Sequence, residues 1–104
     1  MFVELFREIR EAQTEGQARV LATVARTQGS TPRSAGASML LRPDGSFAGT
    51  IGGGCGEAEV WQEAMETMAD GRPRNVVVDL TEPVDGEDKI CGGIMHVFVE
   101  RVSG

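Results

Sequence analysis

Residues 18–27 read ARVLATVART, and the architecture follows from this stretch because it is too apolar for a surface strand. From Val20 to Ala25 the run is almost continuously apolar and rich in β-branched residues, which is typical of a strand covered on both faces. Such a strand is largely buried, so it needs neighbouring strands and helices that cover it. The rest of the sequence therefore has to supply further strands and helices around it.

Two amphipathic helices are available to cover the strand. Apolar residues recur at helical spacing over residues 2–12 with charged residues opposite, and Gly16 predicts the end of this helix. A second helix is predicted from Glu57 to Ala69, and Gly71 stops it. Its predicted apolar stripe consists of Trp61, Ala64, Met65 and Met68.

Four more segments complete a predicted sheet. SMLLR (38–42) and SFAGTI (46–51) flank the tight-turn signal PDGS and predict a hairpin, while RNVVVDL (74–80) and IMHVFVERV (94–102) predict two late strands. The order is helix, three strands, helix, two strands. It predicts an α+β fold with a single mixed β-sheet of about five strands and two α-helices packed mainly on one face.

Helices on one face would leave the other face of the sheet with little cover. In the last strand the alternation places Met95, Val97 and Val99 on one side, and the apolar residues Ile94 and Phe98 on the other. We therefore expect the second face to meet another chain or a second copy of this one, so that a homodimer is predicted.

Composition excludes several classes of protein. The sequence has 104 residues, which fits a single domain, and a formal net charge of −6, which argues against a nucleic-acid partner. No apolar stretch reaches the length of a membrane span, and the charged start of the chain does not read as a signal peptide. These features predict a cytoplasmic protein without a membrane partner, whose two cysteines are reduced thiols.

The stretch GTIGGGCGEAEV (49–60) places three glycines before a cysteine at the start of the second predicted helix. Bare backbone amides at Gly52, Gly53 and Gly54 can approach a ligand closely, and a helix N-terminus favours an anion. The same field favours the thiolate of Cys55, which binds soft metals. The alternative is an ordinary tight turn beside a small buried cysteine.

Two more glycine-flanked loops carry chemistry. GSTPR (29–33) offers the hydroxyls of Ser30 and Thr31 and the guanidinium of Arg33, which suits phosphate. CGG (91–93) places a second thiol, Cys91, beside Gly92. Each loop alone is as consistent with an ordinary turn as with a binding site. Together they predict a site for a ligand with phosphate at one end and a thiol-binding centre at the other.

These motifs resemble a known family. Residues 22–60, which include GSTPR and IGGGC, closely resemble the N-terminal domain of the XdhC/CoxI family, and CGGIMHVFVE (91–100) resembles its closing segment. Members are accessory proteins for molybdenum hydroxylases such as xanthine dehydrogenase. The resemblance implies a chaperone without turnover of its own, which protects the molybdenum cofactor while its terminal sulfur is installed and helps deliver it to the apoenzyme.

The resemblance also implies residue roles and partners. Cys55 is carried over as the cofactor-binding position, in contact with molybdenum or its sulfur ligand, and the cargo is molybdopterin or its cytosine dinucleotide form. Implied partners are the molybdenum hydroxylase apoenzyme and a cysteine desulfurase. Typical members continue into a Rossmann-like domain, so residues 1–104 correspond to the N-terminal domain alone. Either the second domain is a separate Rossmann-domain partner, or the sequence is a single-domain member or a piece of a longer chain.

Two other functions remain open on the residues. The protein could be a small thiol oxidoreductase in which Cys55 attacks and Cys91 resolves, although the sequence has no C-x-x-C motif. It could also be an interaction module whose loops contact a partner protein without any cofactor.

Overall fold

Two helices and five strands follow one another in the predicted order in the computed structural model, which describes residues 2–31, 33–52, 56–81 and 92–104 apart from the side chain of Phe2. The elements in chain order are α1 (Phe2–Glu15), β1 (Arg19–Gly29), β2 (Ser38–Leu41), β3 (Phe47–Gly49), α2 (Glu57–Asp70), β4 (Arg74–Asp79) and β5 (Gly93–Ser103). The α+β class, with one five-stranded sheet and two helices, is therefore confirmed.

The sheet has the strand order β3-β2-β1-β5-β4, with the two 11-residue strands β1 and β5 at or next to its centre. All four pairings are antiparallel, whereas a mixed sheet was expected. The reason is that α2 carries the chain from β3 at one edge to β4 at the other, and β5 then returns between β4 and β1. The strands β1, β3 and β4 run in the same direction, and β2 and β5 separate them, so no two parallel strands are neighbours.

The two helices lie on opposite faces of the sheet, which corrects the expectation that they share one. On α1, Leu5 and Ile9 pack against Leu40, together with Leu21 and Val102. The α2 side holds a larger core. Successive strand residues point to opposite faces, so strands that are apolar at every position need cover on both. Burial of all four residues of β2 reflects this requirement.

The larger core lies between α2 and the sheet. Its fully buried members are Val20, Ala22, Val24, Met39, Leu41, Ile51, Val60, Ala64, Met95 and Val99. The predicted stripe of α2 is wrong at Trp61, which is 38% exposed. Its indole N–H donates to the Gly45 carbonyl at 2.8 Å, so this side chain holds the β2–β3 turn instead of filling the core.

The α1 face of the sheet is covered over only part of its width. In β5 the buried residues Met95, Val97 and Val99 alternate with the half-buried residues Ile94, His96 and Phe98, as predicted. Beyond them, in β4, Val77 is 54% exposed. Neither helix of the described chain is long and apolar enough to cross a membrane.

Candidate functional site

The antiparallel topology brings the three glycine-flanked loops to one end of the sheet, called here the loop end. β1, β3 and β4 finish at this end, and β2 and β5 begin there. The described ends of the connections 30–37, 50–56 and 80–92 therefore lie there. The start of α2 lies at the same end, because this helix follows the second of these connections directly.

Two of the loops touch through their backbones. Gly29 is the register partner of Gly93, so the GSTPR loop leaves the sheet beside the CGG loop. A Cβ at Gly93 would overlap the carbonyl oxygen of Ser30. The Gly92 amide donates to the carbonyl of Leu80 at 3.0 Å, which ties this loop to the end of β4. A side chain at position 93 would push the two loops apart.

The GSTPR loop presents polar side chains at this end. Ser30 and Arg33 are exposed, and Thr31 is half-buried. The Thr31 hydroxyl donates to the Arg33 carbonyl at 2.9 Å, and the Gly36 amide donates to the Val24 carbonyl at 2.7 Å. These bonds hold the loop backbone, while the exposed guanidinium of Arg33 is suited to bidentate binding of an anion.

The segment before α2 is held by a carboxylate. Glu57 Oε2 accepts hydrogen bonds from the Thr50 hydroxyl at 2.5 Å and from the Ile51 amide at 3.3 Å. The amide of Gly52, which is buried, donates to Thr50 Oγ1 at 3.1 Å. The sequence pattern indicated Glu57 only as the start of the second helix and did not single out Thr50. No local motif signals a bond between residues seven positions apart.

Gly56 fixes the start of α2 against the sheet. It adopts φ +76°, and a Cβ there would overlap Val78 Cγ1. Both the backbone conformation and the lack of space therefore require glycine. The first turn of α2 is held between Thr50 on one side and β4 on the other.

The structure places five of the nine predicted site residues at the loop end: Ser30, Thr31, Arg33, Gly52 and Gly92. The other four, Gly53, Gly54, Cys55 and Cys91, lie outside the described residues. Within the described ranges, no group of three or more His, Cys, Asp or Glu side chains could hold a metal ion. What the described part of the loop end offers to an anion is the exposed hydroxyl of Ser30 and the exposed guanidinium of Arg33. The amides of Gly52 and Gly92 and the hydroxyl of Thr31 already donate to acceptors within the protein.

Comparisons with known proteins identify relatives of the chain. The model of the XdhC and CoxI family matches residues 12–80. The molybdenum cofactor insertion chaperone PaoD of Escherichia coli is 41% identical over 92 residues, which cover 88% of this chain and 29% of PaoD. A probable xanthine dehydrogenase subunit of Bacillus subtilis is 35% identical over 103 residues, which cover 94% of this chain and 31% of that protein.

The fold is shared with a solved structure. A crystal structure of a xanthine dehydrogenase from Bacillus halodurans matches with a TM-score of 0.77 and 31% sequence identity, over 95% of this chain and 30% of that one. The chain thus spans less than a third of the length of each of these relatives. The resemblance seen in the motifs is confirmed, and the chain belongs to the XdhC and CoxI family.

Proposed function

We propose that this domain binds the molybdenum cofactor as cargo at the loop end and acts in the maturation of a molybdenum hydroxylase such as xanthine dehydrogenase. Family membership and the name of PaoD support the choice of cargo. The observation that carries the proposal is the backbone contact between the GSTPR and CGG loops, at the end of the sheet where α2 begins. This contact joins two loops that are far apart in sequence, and Gly52 and Gly56, the described ends of the glycine stretch, lie at the same end of the sheet.

Each loop has a distinct task in this proposal. The phosphate or dinucleotide end of the cofactor is bound by Arg33, Ser30 and the amides of the glycine turn that contains Gly53 and Gly54. The thiolate of Cys55 contacts molybdenum or its sulfur ligand, which is the chemistry expected of a soft donor. Cys91 and Gly92 close the site from the neighbouring loop.

The proposal also names partners. The domain protects the cofactor while a cysteine desulfurase supplies its terminal sulfur, and then helps to transfer it to the apoenzyme of the molybdenum hydroxylase. A Rossmann-like domain would complete the assembly. The protein has no turnover of its own in this scheme, because cargo is bound and released without a change in covalent structure of the chain.

Cofactor retention tests the proposal. Purified wild type and variants are mixed with molybdenum cofactor, and bound pterin and molybdenum are measured after gel filtration. We expect Cys55→Ser to lose most of the bound cofactor. Arg33→Ala should weaken retention by about tenfold, the equivalent of about 1.4 kcal/mol, which is close to the lower limit for a hydrogen bond to a charged group. Arg72→Ala is the matched control, because Arg72 is also exposed but lies at the opposite end of the sheet.

Other outcomes would select a different function. Equal retention by wild type and Cys55→Ser would remove the role of Cys55, and failure of the wild type to bind would refute the cargo proposal for this domain. A disulfide between Cys55 and Cys91 that forms under peroxide and turns over with a thiol reductant would favour the oxidoreductase. Normal binding of a client by a cofactor-free Cys55→Ser protein would favour the interaction module.

A further inference from the structure

β4 lies at the edge of the sheet, and its outer side has no neighbouring strand within the described residues. The other edge strand, β3, has three residues and ends at Gly49, which adopts φ +83°. Such a short edge offers little backbone for pairing. β4 in contrast has six residues that pair with β5 without a bulge. It contains neither proline nor lysine, and its two charged residues, Arg74 and Asp79, lie at its ends, so the middle of the edge carries no protecting charge.

The peptide groups that β4 presents outward can be assigned. The Leu80 amide donates to the Gly93 carbonyl at 2.8 Å, and the Leu80 carbonyl accepts from the Gly92 amide at 3.0 Å, so both groups of Leu80 point toward β5. Peptide groups alternate in direction along a strand. Those of Val76 and Val78 therefore also face β5, and those of Asn75, Val77 and Asp79 point outward.

We propose that β4 pairs antiparallel with β4 of a second copy of this chain, about a two-fold axis that passes through Val77. The two five-stranded sheets then form one continuous ten-stranded sheet. In this register the two Val77 residues lie opposite each other, and Asn75 lies opposite Asp79 of the second copy on both sides of the axis. The interface is isologous, as expected for a two-fold dimer.

The register follows from the outward-pointing groups. With the axis at Val77, all three outward residues of each strand face one another, which gives six backbone hydrogen bonds. Sliding the second strand by two residues in one direction places Asp79 opposite Pro73, which has no N–H. Sliding it the other way places Asn75 opposite Thr81, which lies beyond the strand. A slide of one residue would put facing side chains on opposite faces.

Side chains of β4 also match in this register. Asn75 and Asp79 are both exposed on the α1 face, where the Asn75 amide can donate to the Asp79 carboxylate of the second copy. Hydrogen bonds from the Thr81 hydroxyl and amide lower the pKa of Asp79, so the acceptor is charged at neutral pH. At the axis the two Val77 side chains, each 54% exposed in the single chain, cover each other.

The pairing leaves the candidate site accessible. Because the two β4 strands run in opposite directions, the loop ends of the two copies lie at opposite ends of the joined sheet. The inference therefore does not depend on the cofactor role proposed above, and loss of cofactor binding would leave the dimer unchanged.

The oligomeric state tests the inference. Light scattering and sedimentation should show a particle of twice the 11.1 kDa of the chain. Measurements from 5 µM to 500 µM cover about three kcal/mol of association free energy. Val77→Lys places two like charges directly opposite each other and should raise the dissociation constant at least tenfold. Val3→Lys is the matched control, because Val3 is similarly exposed, at 63%, but lies on α1. Circular dichroism checks that both variants fold.

Charge changes at Asn75 test the register itself. In an Asn75→Asp dimer, the new carboxylate lies opposite the Asp79 carboxylate of the second copy on both sides of the axis, so association should weaken. In an Asn75→Lys dimer, an ammonium group lies opposite the same carboxylate, so association should strengthen. Amide hydrogen exchange gives an independent readout, since the amides of Asn75, Val77 and Asp79 should become protected as the protein concentration rises.

Several results would overturn the inference. A monomer at every concentration would do so, as would a dimer that Val77→Lys leaves intact or a response to Asn75 charges of the opposite sign. If the wild type stays monomeric and these amides become protected only when a client protein is added, the edge receives a strand of that client and not a second copy.

Discussion

Gly93 and Gly36 are both glycines at the loop end, but for different physical reasons. A Cβ at Gly93 would overlap the Ser30 carbonyl oxygen and lie 2.7 Å from that of Gln28, so the space is filled by backbone. Gly36 adopts φ +96°, and a Cβ at this position would have no atom within 4 Å. Glycine is therefore needed here for the backbone conformation and not for lack of space. The first glycine lets two loops touch, and the second only lets the chain turn.

Substituting these two glycines separates the two effects. Gly93→Ala should destabilise the fold by about 3 kcal/mol, because the backbone of Ser30 and Gln28 cannot move aside without loss of strand pairing. Gly36→Ala should cost about 1 kcal/mol, the usual penalty for a side chain in the left-handed region. Urea unfolding measures both. Equal losses would mean that the close contact between the loops is not what Gly93 serves.

At this scale the sequence singled out candidate residues in the three loops but not the contacts that they make. The glycines and polar groups of the three loops were recognisable from composition and spacing. The contact of Gly93 with Ser30 was not, because it depends on the register between β1 and β5, which no local pattern encodes. The Thr50–Glu57 bond was missed because no local motif signals a contact between residues seven positions apart.

Among the elements, α1 is fixed to the sheet by one charged side chain. Glu8 Oε2 accepts from Arg19 Nε at 2.9 Å and from Arg42 Nε at 2.7 Å, and its Oε1 accepts from Arg42 Nη2 at 2.8 Å. Arg42 is the main cause that lowers the pKa of Glu8 below its ordinary 4.5, with burial opposing and Arg19 assisting. The carboxylate thus joins the helix to the start of β1 and the end of β2.

Acid should weaken this link. Because the pKa of Glu8 is lowered on folding, its stabilisation is complete above about pH 4.5, the unfolded value, and is lost as the pH falls through the folded value. At pH 7 we expect Glu8→Gln to lower the free energy of unfolding by about 1–2 kcal/mol. Urea titrations at pH 7 and pH 3 should show this difference shrinking. Glu11→Gln, on the exposed side of α1, is the control and should change little at either pH.

Element boundaries were the most predictable part of the fold. Gly16 and Gly71 end the two helices where the sequence indicated, and PDGS forms the turn of the β2–β3 hairpin. The face that each helix covers was not predictable. Hydrophobic periodicity shows which side of a helix is buried, but it carries no information about which face of the sheet receives that side.

Across the whole molecule, two cores share the backbone of one sheet. Leu40 belongs to the smaller core under α1, and Leu41 belongs to the larger core under α2. Both side chains are fully buried, and they are adjacent in β2. Packing of either core therefore fixes the position of β2, and this position is also the one that the other core requires.

This sharing predicts a single unfolding transition. Leu40→Ala and Leu41→Ala should each cost about 2–5 kcal/mol, the usual range for a leucine removed from a core. Trp61 fluorescence reports from the α2 side, and far-UV circular dichroism reports from the whole chain. We expect the two signals to coincide for both variants, as in two-state unfolding. A Leu40→Ala protein that loses ellipticity before its Trp61 signal changes would contradict this view.

The position of Gly104 has a practical consequence for immobilisation. A Cβ at Gly104 would lie 2.8 Å from Ala18 Cα, so this residue sits beside the start of β1, remote from the glycine-flanked loops. β5 spans 11 residues, and at about 3.3 Å per residue it is about 35 Å long. A biotin tag or fluorophore coupled after Gly104 would therefore project from the far side of the particle and leave Arg33 facing the solution.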